Sequence, residues 1–417
     1  MLKKLTYACL LFLFGINASS IAVLGIRIPV FMILLAVFGI AIGGKALIDV
    51  KNRNWHNLRE NYIRKGTRYF IIIMCIWVLY GLLSFLWQRD FENWRIAVNH
   101  LVIGAFCAFV FPFFLNSKEE VLNAYRIMGC CAVAHNLIGW FEVITRIYLF
   151  PSLKDAIGWE GRPVSIFYNT NNFAVFLLFG VFIMLANHKF AQGKVVKIFW
   201  LLGTLSSALL ILLTRSRGGM LALALGFGVF ALLLYFSHVK KRVLELMKRK
   251  VCFFFLVILA ITFLCVGSFL LYQIFFTGAR ADSGIARINL INNGIMFLGI
   301  TYGRGVGAGN IEFWVSNYWG YFTYGILNMH NWWFEILVAY GIAVFLLYLV
   351  FYFKLAKSSL MSFIKVGDSD TRVLYIANLC ILGSFVITST IPSTLMPAIW
   401  FWAYMGVLIA IQKESII

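Results

Sequence analysis

Residues 170–187 read TNNFAVFLLFGVFIMLAN, and this stretch decides the fold class. It contains no Asp, Glu, Lys or Arg, and hydrophobic side chains follow one another almost without interruption. An apolar run of about 20 residues is long enough to cross the ~30 Å hydrocarbon layer of a bilayer as a helix. Similar runs recur from one end of the chain to the other. The sequence therefore predicts a polytopic membrane protein.

The composition agrees with this fold class. Of the 417 residues, 62% are hydrophobic and only 12% are charged, whereas soluble domains carry about 25% charged residues. We predict an all-α fold that forms a single integral membrane domain over residues 1–417, with one long extracytoplasmic loop at 273–330 that contains short helices. The predicted spans are about twelve in number: 5–26, 28–46, 69–88, 97–115, 121–148, 170–187, 196–213, 218–236, 251–272, 331–353, 372–390 and 395–411.

The first span resembles a secretory signal peptide. Lys3 and Lys4 precede an apolar run that leads to the small residues Ala18, Ser19 and Ser20. Because the apolar character continues to Ile26, we predict a retained helix rather than a cleaved leader.

The net charge of +20 is explained by membrane topology rather than by nucleic-acid binding. Lysine and arginine accumulate in cytoplasmic loops, next to anionic lipid. With cytoplasmic termini, the predicted outer segments carry ten arginines and one lysine, and the inner segments carry eight arginines and seventeen lysines. The guanidinium group binds phosphate oxygens bidentately, so we expect about three to five outer arginines to converge on an anion. The alternative is that they snorkel or pair with nearby carboxylates.

The first motif is a short outer turn at residues 214–219, which reads TRSRGG. Arg215 and Arg217 stand at the N-terminus of a predicted helix, where free N–H groups and the helix dipole favour anions. The glycines allow a ligand to approach the backbone closely. The alternative is a tight turn whose two arginines snorkel, and such turns are about as common as anion sites.

The second motif, residues 161–172, reads GRPVSIFYNTNN and leads into a helix. Asn169 and Asn172 can cap this helix. Amide side chains beside Arg162 are also suited to bind sugar hydroxyls and phosphate.

The third motif, residues 303–310, reads GRGVGAGN. No strand precedes it and it faces outward, so a dinucleotide or Walker loop is excluded by context. We predict a flexible loop that closes over a ligand, with Arg304 at its centre. Upstream of it, isoleucines near helical spacing alternate with Arg287, Asn289 and Asn293, which predicts an amphipathic segment on the membrane surface with polar groups turned towards a cavity.

The fourth motif, residues 329–335, reads MHNWWFE at the outer start of a span. His330 titrates near neutral pH and can accept a proton from a sugar hydroxyl. The alternative is an interfacial histidine in an aromatic belt beside Trp332 and Trp333. Glu335 is a carboxylate within a span, which makes it a functional candidate. No Cys-x-x-Cys or Cys/His cluster indicates a metal site.

The order and context of the four motifs resemble the O-antigen ligase and polysaccharide polymerase superfamily of bacterial envelopes, which includes Wzy-type and teichuronic-acid polymerases. The resemblance covers residues 160–345 and rests on four features of the sequence. These are Asn169-Thr170-Asn171, Ser216-Arg217-Gly218, Arg287 with residues 303–310, and His330-Asn331. Thr170 departs from the family pattern, which often has proline there.

The resemblance implies a metal-independent glycosyltransferase without a cofactor in the bacterial cytoplasmic membrane. Such enzymes take a glycan from undecaprenyl pyrophosphate and transfer it to an acceptor hydroxyl at the outer face. The implied partners are the lipid-linked donor, a glycan acceptor, the lipid bilayer and other polysaccharide assembly proteins, but no nucleic acid. The implied catalytic residues are His330, Arg217 and Arg215. Substrate binding is implied for Arg162, Arg287, Arg304, Asn169, Asn172, Asn331 and Glu335.

Three functions remain open at this point. The first is a polymerase that joins lipid-linked repeat units into a surface polysaccharide. The second is a ligase that transfers a finished glycan to lipid A core, protein or another acceptor. The third is a transporter or flippase, which the scarcity of ionisable groups inside the spans disfavours.

Overall fold

The computed structural model describes residues 2–16, 21–23, 26–28, 33, 37–44, 51–52, 67–149, 161–167, 169–238 and 281–412. Nearly all regular structure in these ranges is helical, which confirms the all-α prediction. The helices are α1 (Leu2–Leu10, continued by a π-helical turn Leu11–Ile16), α2 (Arg68–Leu83, continued by a 3-10 turn Ser84–Leu86), α3 (Phe91–Phe114), α4 (Lys118–Thr145), α5 (Thr170–Phe190), α6 (Lys194–Leu213), α7 (Arg217–His238), α8 (Ala281–Ile300), α9 (Ile311–Tyr318), α10 (Trp332–Lys365), α11 (Ser369–Thr388) and α12 (Ile399–Ile411).

Eight helices in the described ranges are long and apolar enough to cross a membrane: α2 to α7, α10 and α11. They make the chain a multi-pass membrane protein. Three apolar helices are shorter and comprise residues 4–16, 284–300 and 399–411. The predicted span at 251–272 and nearly half of the one at 28–46 lie outside the described residues, so the predicted number of twelve stays a prediction.

The first predicted span, 5–26, is wrong in its second half. The helical conformation of α1 and its π-helical turn ends at Ile16, and residues 21–28 carry an antiparallel pair of strands, β1 (Ile21–Val23) and β2 (Ile26–Ile28). Ile21 lies opposite Ile28 in this pairing. β-Branched residues favour extended backbone, and four of the six strand residues are isoleucine or valine.

The last predicted span, 395–411, is helical only from Ile399. Thirteen residues of α-helix rise roughly 20 Å, which is less than the thickness of the hydrocarbon layer. Pro392 and Pro397 lie in the segment before this helix, and proline lacks the N–H group that a continuous helix requires. An irregular segment, residues 389–398, therefore separates α11 from α12.

Helices α5 and α12 form the centre of the core. All thirteen residues of α12 are buried, and α12 packs against α3. Helix α5 packs against α4, α6 and α11, and α10 packs against α2 and α11. Trp400 joins the two central helices because its ring meets Phe176 and Phe179 edge-on, at centroid distances of 5.3 and 5.1 Å.

The long loop predicted at 273–330 contains more helix than expected. Residues 273–280 lie outside the described ranges, and α8 and α9 occupy much of the rest. Four isoleucines of α8 are exposed while Asn293 is fully buried, which confirms an amphipathic helix. Its amides, however, bind the chain itself. Asn293 Nδ2 donates to the carbonyl of Tyr321 at 2.8 Å, and Asn289 Nδ2 donates to that of Phe322 at 2.7 Å.

Candidate active site

His330 lies immediately before α10, and the irregular segment 389–398 fixes its backbone. Its φ angle is 47°, in the left-handed region, and its N–H donates to the carbonyl of Ser393 at 3.2 Å. The side chain of Asn331 caps α10 by accepting from the N–H groups of Trp333 and Phe334. Left-handed backbone is costly for a residue other than glycine, so the surrounding contacts hold His330 in place.

The imidazole of His330 is kept in its neutral form. Burial and, second, the positive charge of Arg287 lower its pKa from 6.5 to about 4. A hydrogen bond to the backbone of Ile391 acts in the opposite direction. Such a bond stabilises the protonated ring, so the carbonyl of Ile391 is its acceptor. Nδ1 has no hydrogen-bond partner, which leaves its lone pair as the proton acceptor of the site.

Arg287 comes from α8, in a different part of the sequence. It is half-buried, and burial lowers the pKa of its guanidinium. An arginine remains protonated at neutral pH even so, because its ordinary pKa is above 12. The site therefore contains a fixed positive charge beside a neutral imidazole.

The turn at 214–219 reaches the same place through Ile391. The side chain of Ser216 accepts from the N–H of Gly219 at 3.2 Å and so caps α7, whose first residue is Arg217. Gly218 packs so tightly on Ile391 that an added Cβ would lie 2.7 Å from its Cγ1 atom. Ile391 is buried and also hydrogen-bonds to His330. One residue thus contacts both the arginine turn and the histidine.

Arg215 and Arg217 are both exposed. Arg215 has a φ angle of 55°, which makes the turn sharp. The N-terminus of α7 adds the positive end of a helix dipole beside them. The arginine turn, Ile391, His330 and Arg287 therefore form a continuous cluster suited to hold an anion next to a proton acceptor. We call these residues the arginine–histidine cluster.

The motif at 161–172 is only partly connected to this cluster. The side chain of Asn169 accepts from the N–H of Asn171 at 2.7 Å, so the predicted capping role is confirmed. The carbonyl of Arg162 accepts from the hydroxyl of Tyr148 at 3.1 Å. These contacts are with the residues that follow α4 and within the motif itself, and they do not join Arg162 to His330.

Arg304 is separate from the cluster. Its guanidinium lies over the ring of Trp87, with 5.2 Å between the carbon of the group and the ring centroid. Its backbone lies against Gly341 in α10. Trp332 and Gly341 are nine residues apart, roughly 14 Å of helical rise, so Arg304 lies well away from the start of this helix.

The glycine-rich loop at 303–310 is anchored, which corrects the prediction of a flexible loop that closes over a ligand. Three backbone hydrogen bonds of 2.8 to 2.9 Å join it to residues 338–342. Gly341 breaks the helical conformation there, with a φ of 78°, and approaches the loop backbone closely. At the other end, Asn310 Oδ1 accepts from the N–H groups of Arg89 and Asp90 at 2.6 and 2.8 Å. The glycines serve this close backbone packing.

Two adjoining cavities lie beside the cluster. The first has a volume of about 210 Å³, and Met329 and Ser393, which flank His330 in space, are among its lining residues. The second has a volume of about 280 Å³ and is lined by Asn172 and Trp400, among others. His100, Thr394 and Pro397 line both cavities.

Glu335 lines the first cavity. Its Oε1 atom accepts from the hydroxyl of Thr394 at 2.5 Å, and its Oε2 atom has no hydrogen-bond partner. Thr394 also accepts from the N–H of Met396 at 3.1 Å. The pair Glu335–Thr394 therefore attaches the irregular segment 389–398 to α10, one helical turn below the residues next to His330.

Sequence reasoning missed segment 389–398 as part of the site. It provides the backbone acceptor for His330, the contact with the arginine turn and several walls of both cavities. Two of the chain's six prolines lie in it, among the hydroxyl residues of TSTIPSTLMP at 388–397. Prolines and hydroxyls inside an apolar region are typical of broken helices that line a cavity in membrane proteins. That signal was present in the sequence.

The described part of the chain contains no group of three or more His, Cys, Asp and Glu side chains placed to hold a metal ion. Glu312 and Glu335 do line the same cavity, but the remaining polar side chains there are amides, hydroxyls and His100. Independence from a metal stays a prediction.

Comparisons with known proteins agree with the motifs. Residues 201–349 match the family model described as O-Antigen ligase. Over 379 aligned residues, the chain is 25% identical to the teichuronic acid biosynthesis protein TuaE of Bacillus subtilis (strain 168). The alignment covers 87% of this chain and 74% of that protein. The resemblance to the O-antigen ligase and Wzy-type superfamily is thereby confirmed. The matched region contains the turn 214–219, Arg287, the loop 303–310 and His330, while the motif 161–172 lies before it.

Proposed function

We propose that this membrane protein is a glycosyltransferase that polymerises undecaprenyl-pyrophosphate-linked oligosaccharide repeat units into a surface polysaccharide. The reaction takes place at the outer face of the bacterial cytoplasmic membrane. The observation that carries the proposal is the position of segment 389–398, in which Ile391 packs on Gly218 of the arginine turn and the carbonyl of Ser393 accepts from the N–H of His330. This segment links the turn that carries Arg215 and Arg217 to the residue proposed as the base.

The reaction needs two kinds of group. The oxygen of an acceptor hydroxyl attacks the anomeric carbon of the donor sugar and forms the new glycosidic bond. The bond from that carbon to the pyrophosphate oxygen breaks, and the lipid pyrophosphate leaves with the electron pair. Because pyrophosphate is a stable leaving group, cations that balance its developing charge matter more than a general acid. The hydroxyl proton must pass to a base.

Arg217 and Arg215 hold the pyrophosphate in this proposal, assisted by Arg287, whose charge acts on His330. Bidentate guanidinium contacts orient the diphosphate and take the place of a divalent cation. The Nδ1 atom of His330 accepts the hydroxyl proton. This atom is buried, and catalytic hydrogen bonds commonly form only when the substrate is bound.

The other predicted site residues receive narrower roles. Glu335 and Asn172 contact sugar from the walls of the two cavities. Asn169 and Asn331 use their side-chain oxygens as helix caps and so act by shaping the site. Arg162 and Arg304 are proposed to contact parts of the glycan or its lipid carrier that lie further from the reacting carbon.

A ligase is the second candidate, because the matching family model carries that description. Both enzymes would bind the same lipid pyrophosphate, and they differ in the acceptor. The polymerase is favoured by the relative that is named for teichuronic acid biosynthesis, since its alignment extends over most of this chain.

The experiment that separates these functions uses the purified full chain in lipid nanodiscs with lipid-linked repeat units alone. A ladder of glycan lengths, resolved by gel electrophoresis, is expected. Product that forms only after addition of a second acceptor, such as lipid A core, would establish a ligase instead. Substrate counterflow in proteoliposomes without any covalent product would establish a transporter. The ladder should also form in the presence of a metal chelator.

A further inference from the structure

The two cavities beside the arginine–histidine cluster have a chemical character of their own. The first is lined by the acidic residues Glu312 and Glu335, the amide residues Asn93 and Asn328, and Thr394. The second adds the amide of Asn172 and the rings of Phe167 and Trp400. Hydroxyl groups of sugars donate and accept hydrogen bonds with such side chains, and aromatic rings pack on the apolar faces of sugar rings.

The size of the two cavities fits a small ligand. Each is slightly below the ~300 Å³ at which small-molecule sites begin, and together they reach that range. Because His100, Thr394 and Pro397 line both, the cavities adjoin along these residues. The first cavity begins next to His330, since Met329 and the acceptor of the His330 N–H bond, Ser393, form part of its wall.

The charge of the lining is opposite to that of the cluster. No lysine or arginine is among the described residues that line either cavity. Arg95, on the same helix as Asn93, is exposed and paired with Glu92 at 2.7 Å. A carboxyl group binds a hydroxyl in both of its protonation states, as acceptor or as donor. In neither state can it balance a negative charge on a ligand that has lost its water.

We propose that the paired cavities bind an uncharged sugar ring of the substrate glycan and exclude uronate and phosphate groups. The inference rests on the proposed function, because it takes the ligand to be part of a glycan. The site then divides its substrate by charge. The arginine–histidine cluster binds the diphosphate, and the cavities bind a neutral sugar beside His330.

A matched pair of probes tests this division. Methyl β-D-glucopyranoside and methyl β-D-glucuronide have the same ring and differ at C6, where one has a hydroxymethyl group and the other a carboxylate. Saturation-transfer NMR measures the binding of each to the full chain in phosphatidylcholine nanodiscs. Inorganic pyrophosphate is added at saturation so that the arginines are occupied and do not attract the glucuronide. We expect the glucuronide to bind about tenfold more weakly than the glucoside.

A variant that reverses one charge in the first cavity provides a second test. Glu312→Lys places a cation in the wall and should raise the ratio of glucuronide to glucoside binding about tenfold. Glu119→Lys makes the same charge change at an exposed position of α4 and should leave this ratio as in the wild type. Thermal melting reports whether the variant is folded. If Glu312→Lys does not fold, Glu312→Gln should shift the ratio in the same direction by a smaller factor.

Equal or stronger binding of the glucuronide by the wild-type protein would overturn the proposal, and so would the absence of glucoside binding. An unchanged ratio in folded Glu312→Lys would overturn it as well. The result is independent of turnover. Glucoside selectivity without ladder formation would contradict the proposed function alone, and ladder formation without glucoside selectivity would contradict this inference alone.

Discussion

The positive charge of Arg287 acts directly on His330, and together with the larger effect of burial it lowers the pKa of the imidazole to about 4. The two residues are 43 positions apart in the sequence; Arg287 belongs to α8, and His330 lies two residues before the start of α10. A neutral imidazole can accept a proton, but one with a low pKa is a weak base. If a diphosphate binds Arg287, it offsets that charge and raises the pKa of His330, so donor binding would strengthen the base.

The pH dependence of turnover tests this coupling. The folded protein must have neutral His330 to react, so kcat/KM for the donor should be constant at neutral pH and fall as the pH drops through about 4. Arg287→Gln removes the positive charge but leaves His330 buried. The acidic limb of the pH profile should therefore move to a higher pH, between about 4 and 6.5. Arg126→Gln, at an exposed position of α4, is the control and should leave the limb unmoved. If the acidic limb of Arg287→Gln lies at the same pH as that of the wild type, Arg287 does not affect the pKa of His330.

The stability of the folded protein should also depend on the protonation of His330. The unfolded imidazole takes up its proton near 6.5 and the folded one near 4, so the unfolded state binds more protons between these values. Stability contributed by the neutral histidine is therefore complete above 6.5 and is lost as the pH falls towards 4. Thermal melting of His330→Gln, compared with the wild type over this window, should show a weaker dependence on pH. A dependence as steep as that of the wild type would assign the proton uptake to other groups.

Removal of the histidine should separate chemistry from binding. His330→Ala should abolish detectable ladder formation, because the proton acceptor is lost, while binding of the lipid-linked donor persists through the arginines. Donor binding is measured by tryptophan fluorescence in nanodiscs. His188→Ala is the matched control, because His188 is half-buried in the last turn of α5, where its ring hydrogen-bonds to the carbonyl of Lys197. Turnover at the wild-type rate in His330→Ala would exclude its role as the base.

The arginine turn can be tested without a change of charge. Arg217→Lys keeps the positive charge but loses the planar, two-pronged geometry that binds phosphate oxygens. A hydrogen bond to a charged group contributes about 1.5–3 kcal/mol, so kcat/KM for the donor should fall by roughly tenfold to a hundredfold. Arg126→Lys, another exposed arginine, should retain full activity. Full activity in Arg217→Lys would mean that a point charge is sufficient there.

The sequence predicted the membrane fold well because long apolar runs have few alternatives. The eight span-length helices of the described ranges each overlap a predicted span. The errors lie where a predicted span was not uniformly helical. Ile21 and Ile28 are as apolar as any span residue, but they pair as strands, and hydrophobicity alone does not distinguish the two conformations. Helix α12 begins at Ile399 rather than at residue 395, because Pro397 interrupts helical hydrogen bonding within an otherwise apolar run.

The site was predicted less completely because its parts meet through contacts that leave no periodic signal. Arg217, Arg287 and His330 were named from residue chemistry, and the structure connects them. The connecting residue, Ile391, is a hydrophobic side chain in a hydrophobic chain, and nothing in its identity marks it. The sequence predicts a flexible loop around Arg304, whereas its glycines allow the loop to pack on α10.

The contact between Gly218 and Ile391 provides a test of that connection. Gly218→Ala adds a Cβ atom 2.7 Å from Ile391 Cγ1, so Ile391 must move, and with it the hydrogen bond to His330. We expect a marked loss of turnover with a smaller effect on the melting temperature. Gly228→Ala makes the same substitution on the same helix, where nothing lies within 4 Å of the added atom. It should be neutral or slightly stabilising, because alanine favours helix. If the two variants are equally active, Ile391 has no role in the active site.

The hydrogen bond between Thr394 and Glu335 should support the same arrangement from the other side. Thr394→Val keeps the shape of the side chain but removes the hydroxyl that donates to Glu335 Oε1, and the Oε2 atom of this carboxyl already has no partner. Loss of a donor to a buried carboxyl costs about 1–3 kcal/mol, so the melting temperature should fall. Turnover should fall as well, since segment 389–398 binds the backbone of His330. Thr394→Ser restores the hydroxyl and should restore both properties. Thr390→Val is the matched control, because that hydroxyl donates to the carbonyl of Ile387, within its own turn, at 2.8 Å. If Thr394→Val melts and reacts like the wild type, segment 389–398 is held by its backbone alone, and Glu335 does not position the histidine.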